Sequence, residues 1–277
     1  ISFTTGSNLQ PPSITASDAT NVAGTTATAN GNLLSFDGND QPMVSVFYDT
    51  EANVTAGRAD PYLPLELSDS LALWLDAADS NTITHSSNAV SYWADKSGKG
   101  NHATATSGQE PTTGTRTINN VNTLDFDGSE ALLSSNFALN NTHSIFAVVS
   151  SDDIGYRRIL SYESYYYLGN GSGNNNLASF YGSGNWYDAD TNTPASSLAS
   201  PTVIGLLSDG TNATPYYNGT ALNSKSSNMG SSAPAGMLIG KHVNNGQFWD
   251  GQVAEIIVFG SNLADADRKK IEGYLAQ

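Results

Sequence analysis

The chain predicts an all-β protein: a two-sheet antiparallel jelly-roll sandwich with a short C-terminal helix, preceded by a small N-terminal β segment. Three observations predict it. Gly, Ser, Thr and Asn are abundant while charged residues make up only 13% of 277, a composition suited to short strands joined by turns. Apolar runs such as HSIFAVVS (143–150) and QVAEIIVF (252–259) have strand length and end at turn residues. No helical pattern separates the strands, so parallel βαβ crossovers are excluded.

In chain order, Ile1–Gly6 (ISFTTG) alternates like a strand and stops at NLQPP, whose prolines cannot donate to a ladder. Ser13–Ala16, Thr25–Ser35 and Met43–Tyr48 are three more strands, separated by turns at Gly24, at 36–40 and at 49–50. Residues 1–60 thus form the N-terminal segment, 61–70 a linker and 71–277 the sandwich. Leu71–Asp76 (LALWLD) opens it, and Val90–Asp95 (VSYWAD) follows. The next turn, DKSGKGN, has glycines at 98 and 100 and an Asp95 carboxylate able to accept from the amides just ahead. A polar loop containing Pro111 and Gly114 leads to LDFDG (124–128), which ends in another Asp-Gly turn. Then come His143–Ser150, Arg158–Leu168 as one strand, Leu177–Gly182, Asn185–Ala189, Val203–Ser208 and Thr214–Asn218. Asn218-Gly219 is a hairpin turn of the favoured kind. Gly236–Gly240 and Gln252–Phe259 complete the strands. Ala264–Ala276 reads as helix, apolar at Ala266, Ile271, Tyr274 and Leu275, with Asp265 and Asp267 in its first turn.

Net charge is −15, from 26 acidic and 11 basic residues. Such a surface repels nucleic acid and anionic membranes, so neither is an expected partner, and it favours divalent cations. No apolar run approaches the about 20 residues of a membrane span. There is no cysteine, hence no disulfide framework. The chain starts at Ile1 without a signal peptide, which is the expectation for an excised or mature piece of a longer protein.

Catalytic patterns are weak. Glycosidases need two carboxylates about 5 Å apart across the scissile bond. None of Glu51, Glu66, Glu110, Glu130, Glu163, Glu255 or Glu272 has an acidic partner two positions away in a strand. His85, His102, His143 and His242 show no metal-ligand spacing, and His102 reads as a loop anchor. No enzyme activity is expected. Sugar recognition has better support, because lectin sites pair an aromatic platform with Asn and Asp on loops. The candidates are Tyr166, Asn174, Trp186, Tyr187, Asn245 and Trp249. The competing reading is that aromatics at this spacing fill the core, as is expected of Trp74 and Trp93.

The segments LWLDAADSNTI, VSYWADKSGKGNHAT, LDFDG, AEIIVFGSNL and the IEGYLA helix occur in an order that resembles bacterial laminin G-like domains of the concanavalin A-like lectin/glucanase superfamily, from Leu71 to Gln277. ATNVAGTTATANGNLLSFDGNDQPMVSVFYDTE resembles the first half of a fibronectin type III-like repeat, and ISFTTG the last strand of one. The resemblance implies a structural Ca²⁺ on the outer side of the sandwich, with Asp76, Asp95, Asp127 and Glu255 as its ligands by position in the strand order. Against this, Asp95 and Asp127 can cap their own turns and Asp76 can end a strand.

The function expected is therefore a non-catalytic binding or adhesion module of a bacterial extracellular or cell-surface protein, recognising a glycan or a protein ligand. One alternative is a structural subunit of a surface filament or layer, its half-repeat completed by Ile1–Thr5 donated from another copy. A glycosidase or lyase on the same fold is the minor alternative.

Overall fold

The computed structural model describes residues 14–23, 26–33, 63–67, 69–134, 139–153, 155, 157–162, 166–169, 177–182, 185–190, 198–226, 236–242 and 246–276. The chain divides into two units, 1–55 and 56–277. In the first, β1 (Ile14–Ala23) and β2 (Thr26–Leu33) make an antiparallel hairpin whose register slips twice, after Ser17 and after Thr20. The segments ISFTTG and MVSVFY lie outside the described residues.

Among the described residues of the second unit, eighteen strands form one continuous antiparallel network, folded into two facing layers. Its centre is β20 (Asp250–Phe259), apolar at both parities and buried on both faces, as a strand inside a covered layer must be. One edge pairs along its length with β10 (Thr142–Ser151). The other edge is shared: Asp250–Val253 pair with β8 (Val121–Asp127), and Glu255–Phe259 with β3 (Leu71–Asp76). The changeover is a bulge at Ala254, because Val148 faces Glu255 while Val149 faces Val253. The freed Ala254 carbonyl accepts the Ala77 N–H at 2.9 Å. Beyond β10 the layer continues through β15 (Thr202–Asp209) to β16 (Asn212–Tyr217).

The second layer runs β5 (Ala89–Trp93), β6 (Ala103–Ala105), β9 (Leu132–Ser134), β19 (Met237–Ile239), β11 (Arg158–Tyr162), β12 (Tyr166–Gly169), β13 (Leu177–Gly182) and β14 (Asn185–Asp190). The layers connect through β7 (Thr112–Ile118), which pairs with β8 and meets β5 at Ala89. Between them lie Leu73, Leu75, Trp93, Phe126, Leu132, Ile145, Ile239 and Val258. A second apolar cluster covers the outer face of the first layer: Leu71, Trp74, Phe146, Ile257 and Phe259 pack under Ile271, Tyr274 and Leu275 of the C-terminal helix α1 (Asp265–Leu275). Each such side chain contributes about 1.5–3 kcal/mol on burial.

The all-β, two-layer architecture with its terminal helix is the one predicted, with local corrections. Arg158–Leu168 is a hairpin of two strands, Tyr162 facing Tyr166; Glu163-Ser164 are the weak strand formers within that run. The polar loop after DKSGKGN contains β6 and β7. TTGTRTI escaped notice because Thr113 and Ile118 are its only buried positions and Gly114, at φ +72°, lies where the register shifts. In α1, Ala266 is exposed and the buried positions are Arg268, Ile271, Glu272, Tyr274 and Leu275. Arg268 is held inside by Asp265, by Glu272 and by the Tyr216 ring 4.4 Å away.

Candidate functional site

Of the six residues expected to contact a ligand, Tyr166 lies on β12 and Trp186 and Tyr187 on β14, where they pair with Tyr181 and Phe180. The side chains of these three lie outside what is described, as do Asn174 and Asn245 altogether. Trp249 is corrected: it is 0% exposed in the core between the layers and offers no platform to a ligand. Phe248 next to it is only partly buried, with the Lys241 ammonium 5.5 Å from its ring centre. Trp74 and Trp93 are fully buried, as core residues.

The four carboxylates proposed for calcium separate into three places. Asp95 organises the DKSGKGN loop, as its position suggested. Its Oδ1 accepts the N–H of Ser97 (2.8 Å) and of Trp74 (2.9 Å), and its Oδ2 the Asn101 N–H (2.9 Å) and Ser97 hydroxyl (2.7 Å). The His102 Nδ1 accepts the Asp95 N–H at 3.0 Å, the anchoring role expected of it. Asp127 caps its own turn through the amide and hydroxyl of Ser129. Asp76 and Glu255 do come together, as direct partners across β3 and β20. Two like charges so placed repel unless neutralised, and here Lys96 supplies the cation. Its ammonium lies 3.0 Å from Asp76, 3.1 Å from Asp79 and 4.4 Å from the Trp74 ring centre. Burial pulls that ammonium down, but the two carboxylates outweigh it and its pKa is raised. Among the described residues no three His, Cys, Asp or Glu side chains are grouped to hold a metal ion.

Glu255, 3% exposed, accepts the Trp74 indole N–H at 2.7 Å and the Tyr274 hydroxyl at 2.8 Å on one oxygen. This fixes the last turns of α1 onto the sheet, and beside the junction opens a cleft of about 150 Å³. Its floor carries Asp76 and Glu255, and Val148, Val203 and Tyr274 give it apolar walls. Asn218 of the hairpin after β16 stands at its side with φ +44°. The Asn218 Oδ1 accepts the Val203 N–H at 2.9 Å, while its Nδ2 has no acceptor among the described residues. Sequence reasoning missed Lys96, Tyr274 and the cleft-side role of Asn218. Asn218 carried a signal as a turn residue; the pairing of Lys96 with Asp76 across twenty positions carried none.

A second acidic group surrounds the turn after β8. Burial pushes the Glu130 carboxyl up to about 7, aided by the Asp127 carboxylate and opposed by the Asp127 N–H that it accepts. A carboxyl whose pKa is raised by folding stabilises the native state below its unfolded value, near 4.5, and loses that contribution as pH rises to about 7. Wild type is therefore expected to lose about 1–3 kcal/mol relative to Glu130→Gln between those pH values. Urea denaturation of both proteins at each pH checks it; parallel pH profiles would show that Glu130 ionises freely.

No family model and no curated protein matches the chain. Solved structures do. Domain 4 of AbnA, an extracellular GH43 arabinanase from Geobacillus stearothermophilus, solved with arabinotriose, is 16% identical at a TM-score of 0.58, over 75% of this chain and 98% of that one. The chain shares its β-sandwich fold. The binding domain of Paraclostridial Mosquitocidal Protein 1 (12% identical, TM-score 0.53) and that of botulinum neurotoxin serotype D (16%, 0.50) match 74% of this chain. This chain spans 52% of the length of each. The first was solved with a sugar and the other two are binding domains; the fold is what they have in common with this chain.

Proposed function

We propose that the chain is a non-catalytic, glycan-binding module of an extracellular protein, with 71–277 a laminin G-like domain. The observation that carries the reading is the state of the two cleft carboxylates. Glu255 is held by an indole and a phenol, and Asp76 by Lys96 and the Ala78 N–H. Carboxylates so fixed at the cleft are acceptors held in place for a ligand's hydroxyls. The likeness to a domain solved with arabinotriose, over 98% of that domain, supports a sugar as the ligand class. The net charge of −15 argues against nucleic acid. The test is calorimetry against soluble oligosaccharides including arabinotriose, paired with assays for sugar release. Saturable heat without release is the expected result; release of reducing sugar would replace this reading with a glycosidase, and silence across the panel would remove the glycan.

A further inference from the structure

We infer that the cleft between the outer face of the first layer and the end of α1 seats one sugar unit of a glycan, an inference that rests on the glycan-binding reading. At about 150 Å³ the cleft is well below the about 300 Å³ at which pockets for drug-sized ligands begin. One pyranose-sized unit fits within it, and further units of the chain would lie outside.

The lining matches such a unit on two counts. Val148, Val203 and Tyr274 offer apolar surface for a C–H face. The polar groups then include both a donor and acceptors. The Asn218 amide N–H₂ has no acceptor among the described residues, and its Oδ1 is fixed by the Val203 N–H, so the donor is held in position. The buried carboxylates of Asp76 and Glu255 accept. An ammonium-bearing ligand, such as a lysine side chain, could use the carboxylates but gains nothing from the exposed amide, which water satisfies. A hydroxyl donates and accepts, and uses both. For a ligand of this size the affinity is about millimolar.

The experiment is ligand-observed NMR and calorimetry with arabinotriose and the methyl glycosides of pentoses, hexoses and N-acetylhexosamines, on wild type and two variants. Ala276→Trp fills the cleft mouth from an exposed position on its rim. Asn218→Asp keeps the oxygen that accepts the Val203 N–H and the residue's tolerance of positive φ, and removes the donor. The expected result is binding by wild type, a loss of about tenfold or more in both variants at unchanged melting temperature, and competition between a matching methyl glycoside and its oligosaccharide for one site. Should Ala276→Trp not fold, Asn218→Asp decides alone. Wild-type affinity in both variants would overturn the cleft as the seat while leaving the glycan reading intact. No binding by wild type would instead bring down the glycan reading itself. Binding of lysine methyl ester in place of every sugar, lost in Ala276→Trp, would overturn the ligand class.

Discussion

Gly251→Ala is expected to destabilise the sandwich by about 3 kcal/mol or more, the range of strained backbone substitutions with no room to relax. Gly251 has φ +140°, and a Cβ there would lie 2.2 Å from the Ser150 carbonyl oxygen and 2.8 Å from the Ser151 Cα. Both are backbone atoms of β10, so nothing flexible can move aside. Relief would require pulling β20 away from β10 at the point where it also pairs with Phe126 of β8. Gly273→Ala is the matched control. It lies in α1 with nothing within 4 Å of the added Cβ, and the gain in helix propensity is worth up to about 1 kcal/mol. Urea denaturation curves for the two should move in opposite directions; a neutral Gly251→Ala would mean that β20 does not run against β10 as described.

Asp95→Ala is the second large effect, about 3–4 kcal/mol, because it strips acceptors from four donors at once. The Trp74 N–H is the costly one: it is buried on β3, and its partner Asp95 lies 21 residues away. The other three, on Ser97 and Asn101, hold the loop that carries Lys96 over Trp74. Asp95→Asn should lose roughly half as much, since its one remaining oxygen can still accept two of the bonds. Denaturation midpoints check the order; equal losses in both variants would mean that charge rather than acceptor count matters.

How much of this was readable in advance depended on how local each interaction is. LALWLD, HSIFAVVS and QVAEIIVF announce themselves by apolar content, and Asp95 by its place before two glycines. β7 did not, because only Thr113 and Ile118 of its seven residues are buried and its sequence shows no apolar alternation. Tyr274 reads as an apolar position on the helix; that its hydroxyl reaches Glu255 follows from where α1 docks, which no periodicity encodes. Trp249 failed as a ligand platform for the converse reason, since a Trp amid polar residues looks exposed until the layers close over it. The cleft is assembled from residues as distant as Asp76, Asn218 and Tyr274, and only the folded chain brings them to one place.

The sharing of one edge of β20 between β3 and β8 bears on how the protein is made. Synthesis runs from the N-terminus at about 5–20 residues per second, so β3, β8 and β10 emerge well before the strand that joins them. Until residues 250–259 leave the ribosome, the middle of the first layer is a gap with open edges on three strands, and α1 is not yet there to cover Trp74 and Phe146. The nascent chain must therefore wait, partly paired, for its own centre. The interval before that strand emerges is when a chaperone or a neighbouring nascent chain finds those edges available.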